Sequence, residues 1–351
     1  MTIILSAFWL ILSTAALACT GVTLKTPDGG TVFGRTLEFG FPMQSDIVAL
    51  PRGFAYQGTG TKKVEGKAWK GKYGVVGASG MGLDIVVDGL NEQGLHGGIF
   101  YFPDFAQYTD LAQAVPGKAM APWEFVTWAL SSFSSVEELR AQLGEVQVIG
   151  VSQAQLRQVP PLHYIFTDAK GKTLVVEPTG GKLVAFDNPY GVFTNSPSFD
   201  WHVTNLRNYA NLRPQNAASL KIAGQTVAPL GQGSGLLGLP GDFTPPSRFV
   251  RALAYSAAAS PGKTAADAVW ATNHILNNFD IPLGSVRGEE KSFPEYTQWS
   301  SISDLKNKRF FFKTAANQQL RTVDLKKVDF NAKAAIHRPM ESPAVVEEVK
   351  F

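Results

Sequence analysis

Cys19 is the single cysteine of the 351-residue chain, and it directly follows Ala16-Leu17-Ala18 at the end of eighteen residues that carry no charged side chain. A small-x-small ending on an apolar run is what a signal peptidase cuts, and the run is short for a membrane span. It lacks the opening Lys or Arg of a typical export signal. Residues 1–18 are read as a signal peptide and residues 19–351 as the mature chain, periplasmic or secreted. With one cysteine no intrachain disulfide forms, so an unpaired thiol in an oxidising compartment needs a reason. Three remain open. Cys19 is a small buried hydrophobe at the start of a strand. Or it is a lipid-attachment cysteine on a binding protein, although Ala16 stands where such sites usually carry Leu. Or it is a nucleophile: cleavage after Ala18 places a thiol (pKa about 8.5) and a free α-amino group (about 7.7–8.0) on one residue, matched so that the amine takes the thiol proton near neutral pH.

These groups must be held by a large core. The chain is 44% hydrophobic, 11% aromatic and 17% charged, which excludes a disordered or collagenous protein. Its 32 Lys+Arg against 29 Asp+Glu leave a net charge of +3, and no Lys/Arg run exceeds two, so nucleic acid is not an expected partner. No stable membrane insertion is expected of the mature chain. The 34 Gly and 21 Pro favour many strands and turns. CTGVTLKT, PDGG and TVFGRTLEF read as a hairpin from Cys19. Further strands are expected at 84–89, at 94–102, through a ladder of short runs from Leu162 to Ser196, and from Tyr296 to Phe330. Helical spacing appears at 122–133, 136–143, 201–212, 247–259 and 265–279. The tail after Phe330 shows no period and is expected to be loosely held. No repeat or composition break divides the chain, so it is read as one α+β domain.

Several chemistries lack their residues. His96, His163, His202, His274 and His337 form no HExxH pair and have no cysteine partners, so neither a metal site nor a cofactor is expected. Gly233–Gly238 matches GxGxxG, but Pro240 and Gly241 follow at once and no strand-turn-helix frame surrounds it, so it is read as a loop. There is no G-x-S-x-G elbow and no phosphate loop.

What remains is an ordered series: Cys19-Thr20-Gly21, Phe33-Gly34-Arg35-Thr36-Leu37-Glu38, Gly89-Leu90-Asn91-Glu92-Gln93-Gly94-Leu95, Thr194-Asn195-Ser196-Pro197, Leu206-Arg207-Asn208-Tyr209, Leu239-Pro240-Gly241-Asp242-Phe243 with Ser247-Arg248-Phe249-Val250, Asn278-Phe279-Asp280-Ile281-Pro282, and Tyr296-Thr297-Gln298-Trp299. In this order the chain resembles the choloylglycine hydrolase group of N-terminal nucleophile hydrolases, which contains penicillin V acylases and conjugated bile acid hydrolases. The resemblance implies a four-layer αββα sandwich with two stacked antiparallel sheets, and hydrolysis of a linear amide through a thioester on Cys19. It places Arg35 against the thiol, where a fixed cation lowers a thiol pKa. It puts Glu38, where the family more often has Asp, on the N-terminal amine. It assigns Asn195 to the developing oxyanion with a backbone N–H near Tyr101 as second donor, and Arg248 to stabilising charge in the site. A cation near a helix N-terminus opposes the dipole, so Arg248 needs a reason of this kind.

Tyr101, ten residues after Asn91, is the type usual in penicillin V acylases where bile acid hydrolases usually have Asn. The resemblance therefore points to penicillin V, with long-chain N-acyl homoserine lactones as a related substrate class and bile salts as the alternative. Phe39, Phe41, Phe100 and Phe102 are the candidate acyl-pocket residues. A homotetramer is also implied.

Overall fold

The computed structural model describes residues 18–288 and 294–351; the expected signal peptide, but for Ala18, lies outside them. From Cys19 the chain runs up a seven-residue strand, turns at Pro27–Gly30 and returns along Thr31–Phe39. Asp28 makes the turn by accepting the Gly30 N–H at 3.0 Å, and Gly29 takes the left-handed conformation (φ +77°) that the reversal needs. This hairpin is the centre of a six-stranded sheet. Its spatial order is Val192–Phe193, Cys19–Lys25, Thr31–Phe39, Tyr296–Asp304, Arg309–Thr314 and Arg321–Asp324. A second, eight-stranded sheet runs Lys182–Asp187, Thr173–Thr179, Leu162–Thr167, His96–Tyr101, Asp88–Asn91, Val75–Ala78, Asp46–Leu50 and Ile336–Pro339. Every pairing in both sheets is antiparallel.

The sheets stack face to face, and helices cover both outer faces, giving the four-layer αββα arrangement. Pro245–Ala258 lies on the Cys19 strand, and Ala265–Leu276 lies on the Thr31–Phe39 and Tyr296–Asp304 strands. Phe125–Ser132 covers the eight-stranded sheet. Each helix starts where its sequence dictates: Pro245 and Pro246 open the first, a Thr264/Asp267 capping box opens the second, and Ser135 caps Val136–Ala141 through the Glu138 N–H at 3.2 Å. Gly34 lets Ala265–Leu276 sit close: a Cβ there would lie 2.4 Å from Thr272 Cγ2. No helix among the described residues is long and apolar enough to cross a membrane.

Several expectations shift. The strand anticipated at 84–89 begins only at Asp88, because the N–H of Val86 goes to Thr127 Oγ1. The helix anticipated at 201–212 is Phe199–Asn205 continued by one 3₁₀ turn over Leu206–Tyr209. The tail is tied down as far as Pro343, while 344–351 are exposed and form no helix or strand. Ile336–Pro339 pairs with Asp46–Leu50 at the edge of the larger sheet, and Ser342 accepts hydrogen bonds from Asn317 Nδ2 and Arg321 Nη1 at 2.9 Å each. The Gly233–Gly238 segment is a surface loop with a 3₁₀ turn at Ser234–Leu236.

Candidate active site

The hairpin register sets the site. Cys19 pairs with Leu37 and Gly21 with Arg35, so Cys19, Gly21, Arg35 and Leu37 project from one face, and Arg35 reaches Cys19 across the diagonal. Arg35 Nη2 donates to Cys19 Sγ at 2.8 Å. Gly21 opens the route: a Cβ there would stand 2.8 Å from Phe33 and 3.1 Å from Phe100, and Phe33 is itself fixed by a 4.0 Å stack on His96. The guanidinium is fully buried, lies 4.1 Å over the Phe100 ring and 5.4 Å from that of Trp299, and donates through Nη1 to Ile99 O at 2.6 Å. A buried cation so enclosed cannot swing away from the sulfur. Burial pushes the Cys19 thiol up from its ordinary pKa, and Arg35 is the strongest influence pulling it back down.

Glu38 follows on the opposite face of the same strand. Its Oε1 accepts from Thr297 Oγ1 at 2.8 Å, while Oε2 is buried and has no partner among the described residues. Burial raises its pKa to about 7, with Arg248 the main opposing influence. The Glu38 N–H donates to Ala18 O at 3.0 Å, so the Ala18–Cys19 peptide lies beside this residue.

Arg248 comes from the first turns of Pro245–Ala258 and explains its own unfavourable position on the helix. Nη1 donates to Cys19 O and, at 2.9 Å, to Thr20 Oγ1; Nη2 donates to Asn195 Oδ1 at 2.8 Å; Nε donates to Phe243 O at 2.8 Å. The Pro240–Phe243 loop is tied down in turn by Arg251, whose Nη1 donates to Pro240 O and Asp242 O.

Asn195 is the hub. Its Oδ1 accepts from the Cys19 N–H at 2.8 Å and from Arg248, and its Nδ2 donates to Tyr101 O at 2.8 Å. Two donors on one side and a carbonyl on the other fix the amide orientation. The second Nδ2 hydrogen has no partner among the described residues and is free to donate to a substrate oxygen. Tyr101 therefore meets Asn195 through its carbonyl, as an acceptor.

The Tyr101 side chain faces an apolar cleft of about 510 Å³, counting its open mouth. Phe39, Met43, Ile99 and Tyr101 bring it against the Cys19 cluster, and Met81, Trp123, Leu156 and Leu162 are among the residues that close its other sides. Of the four phenylalanines anticipated in the pocket only Phe39 lines it. Phe41 is half-buried and touches Phe39 edge-on at 6.2 Å. Phe100 and Phe102 point the other way, because side chains alternate along His96–Tyr101 and its continuation. Ile99 and Tyr101 take the cleft side, while Phe100 packs on Phe193 and Phe102 stacks on His163.

The 296–299 segment serves all of this at once. Thr297 holds Glu38, and Trp299 lies near Arg35. Gln298 pins the loop that carries Phe39 and Met43, donating to Phe39 O and Phe41 O and accepting from the Met43 N–H at 3.0 Å. Met43, Met81 and Leu156 had no sequence signal, since they come from separate loops without a period. No group of three or more His, Cys, Asp and Glu side chains among the described residues could hold a metal ion.

A family model described as linear amide C–N hydrolases, choloylglycine hydrolase family, matches residues 19–337. A bile salt hydrolase/transferase from Clostridium perfringens is 38% identical over 314 residues, covering 88% of this chain and 93% of that protein. A crystal structure of a variant of conjugated bile acid hydrolase from the same organism superposes with a TM-score of 0.80 at 32% identity, covering 95% of this chain and 100% of that one. A penicillin V acylase from Pectobacterium atrosepticum is 26% identical over 343 residues, covering 91% of this chain and 84% of that protein.

Proposed function

The chain belongs to the choloylglycine hydrolase family and is a hydrolase of linear amide C–N bonds, and on that premise we propose that it is a penicillin V acylase-type enzyme working through Cys19. In this reading residues 1–18 are removed on export to the periplasm or beyond, and Cys19 becomes the N-terminus. The support is local: the family match opens at Cys19, the Ala18 carbonyl accepts from the Glu38 N–H, and Glu38 Oε2 is a buried acceptor without a donor among the described residues. A new ammonium at Cys19 would supply one, and its charge would favour the ionised carboxylate.

The α-amino group takes the thiol proton, and the thiolate, beside Arg35, attacks the amide carbonyl. The oxygen of the tetrahedral intermediate carries the negative charge, with the free Nδ2 hydrogen of Asn195 as donor. Collapse breaks the C–N bond, the ammonium returns the proton to the leaving amine, and a thioester remains on Cys19. Water then attacks the thioester with the amine as base, releasing the acid and the thiol.

One observation carries the choice of substrate. Among the cleft-lining residues the polar side-chain groups are those of Gln153, Tyr101 and the Trp123 indole N–H, and Gln153 is already committed to Gln155 and to the N–H of Leu156. A phenoxymethyl or aliphatic acyl group needs no polar partner there, whereas the ring hydroxyls of a bile acid, once buried, would have the Tyr101 hydroxyl and the Trp123 N–H as their uncommitted partners on this wall, fewer than they need. Phenoxyacetate from penicillin V, or a fatty acid from a long-chain N-acyl homoserine lactone, is the released acid. The higher identity to the bile salt hydrolase favours the second reading, glycine- or taurine-conjugated bile acids as substrates. Parallel kcat/KM measurements separate the two: penicillin V is expected to be turned over faster than glycocholate, and the reverse order would assign the enzyme to bile salts. A homotetramer is part of the same reading. The exposed Leu220, Ile222 and Val227 of a small hairpin are the surface such an assembly would cover.

A further inference from the structure

Three of the five histidines are fully buried, and two of them bear on a single dipeptide. His163 Nε2 lies 3.2 Å from Thr194 O, and His202 Nε2 lies 2.9 Å from Asn195 O. A carbonyl oxygen only accepts, so both Nε2 atoms carry their hydrogen and each imidazole donates to one of two consecutive carbonyls. His202 Nδ1 is buried and has no partner among the described residues, which fits the tautomer with its hydrogen on Nε2. Burial holds His202 down at about 4, so the ring stays neutral across the working range of pH.

Both rings are clamped by the neighbours of other site residues. His163 stacks on Phe102, next to Tyr101, with ring centroids 4.2 Å apart. His202 stacks on Phe249, next to Arg248, at 4.7 Å and an interplanar angle of 8°. One carboxyl joins them: Glu177 Oε1 lies 3.2 Å from His163 Nδ1 and accepts from the Phe199 N–H at 3.0 Å, at the start of the helix that carries His202. Burial pushes Glu177 up to about 8 and His163 down, so the pair is neutral, with the Glu177 carboxyl donating to Nδ1.

We propose that His202, framed by His163 and Glu177, is a positioning residue that fixes the Asn195 backbone so that the side-chain amide meets the substrate oxygen at hydrogen-bond distance. The proposal rests on the reading of Asn195 as the oxyanion donor. From the Asn195 carbonyl to its Nδ2 there are few rotatable bonds, so a carbonyl released from His202 lets the amide drift. Misplacement by about 1 Å costs up to roughly 10²-fold in rate. His202 touches no reacting atom, so its loss appears in kcat and not in KM.

The test compares His202→Leu, which keeps the bulk and loses the donor, with His202→Gln, whose Nε2 restores a donor at a similar reach. Each is made in the wild-type and the Asn195→Ala backgrounds and assayed on whichever of penicillin V and glycocholate is hydrolysed faster. His202→Leu is expected to lower kcat about tenfold or more at unchanged KM, His202→Gln to restore most of it at the same Tm, and His202→Leu to cost nothing further when Asn195 is already alanine. If His202→Leu does not fold, His202→Asn, polar but too short to reach, takes its place. Wild-type kcat in the donor-less variant, equal losses in the Leu and Gln variants, or an undiminished loss in the Asn195→Ala background would overturn the proposal alone. Wild-type kcat in Asn195→Ala itself would overturn the assignment of Asn195, and the proposal with it.

Discussion

Cys19→Ser is expected to fold as the parent does and to lose amidase activity by roughly 10⁴-fold or more in kcat, the scale on which removing a nucleophile acts. Folding should survive because the change is small. The serine oxygen can accept from Arg35 Nη2 as the sulfur does at 2.8 Å, and the residue stays buried under the same hairpin register. Activity should not survive, because a hydroxyl is far less acidic than a thiol, and a site whose fixed cation is set to hold a thiolate leaves it largely un-ionised. The pair of observations, parental Tm with lost turnover, separates a chemical from a structural role for Cys19. Wild-type turnover in the serine variant would sink the mechanism.

Asn195→Ala is expected to cost about 10²- to 10³-fold in kcat, the range for removing one oxyanion donor. Asn195 also accepts from the Cys19 N–H and from Arg248 and donates to Tyr101 O. Truncation leaves those buried groups short of partners, at a stability cost of about 1–3 kcal/mol. A stability loss accompanies the kinetic one, and the two are told apart by assaying well below Tm and following kcat against KM. Unchanged kcat would remove Asn195 from the oxyanion role.

Much of the site's first layer could be read from the chain itself. The Pro27–Gly30 turn fixes the hairpin register, and that register alone puts position 35 on the same face as position 19, one diagonal step away. The helix that delivers Arg248 shows in its apolar spacing from Ser247 on, and Pro245 and Pro246 open it two residues before that spacing begins. The misplaced parts have physical reasons. Every residue of His96–Tyr101 is buried, so the hydrophobic pattern does not tell which of Ile99, Phe100 and Tyr101 faces a cleft and which faces the opposing sheet. Four phenylalanines near the catalytic positions look like a pocket in sequence, yet strand parity turns Phe100 and Phe102 away from the cleft, Phe100 under Arg35 and Phe102 onto His163. Ile336–Pro339 is short, contains a proline and sits at a sheet edge, which leaves little alternation to read. The cleft wall draws on several separate segments between Phe39 and Leu162, and the histidine bracket on three between His163 and His202, and pairings of that kind leave no local trace.

The central claim is that Cys19 is the N-terminal nucleophile, and intact mass of the purified, exported protein tests it most directly. Spectra would be taken before and after brief exposure to penicillin V or a slowly hydrolysed acyl-amide analogue. A chain beginning at unmodified Cys19, gaining a transient acyl adduct on that residue, is the predicted result. A chain still beginning at Met1, or one lipidated at Cys19, would have no free amine to act as base and would contradict the account, leaving Cys19 as an anchor or a packed side chain.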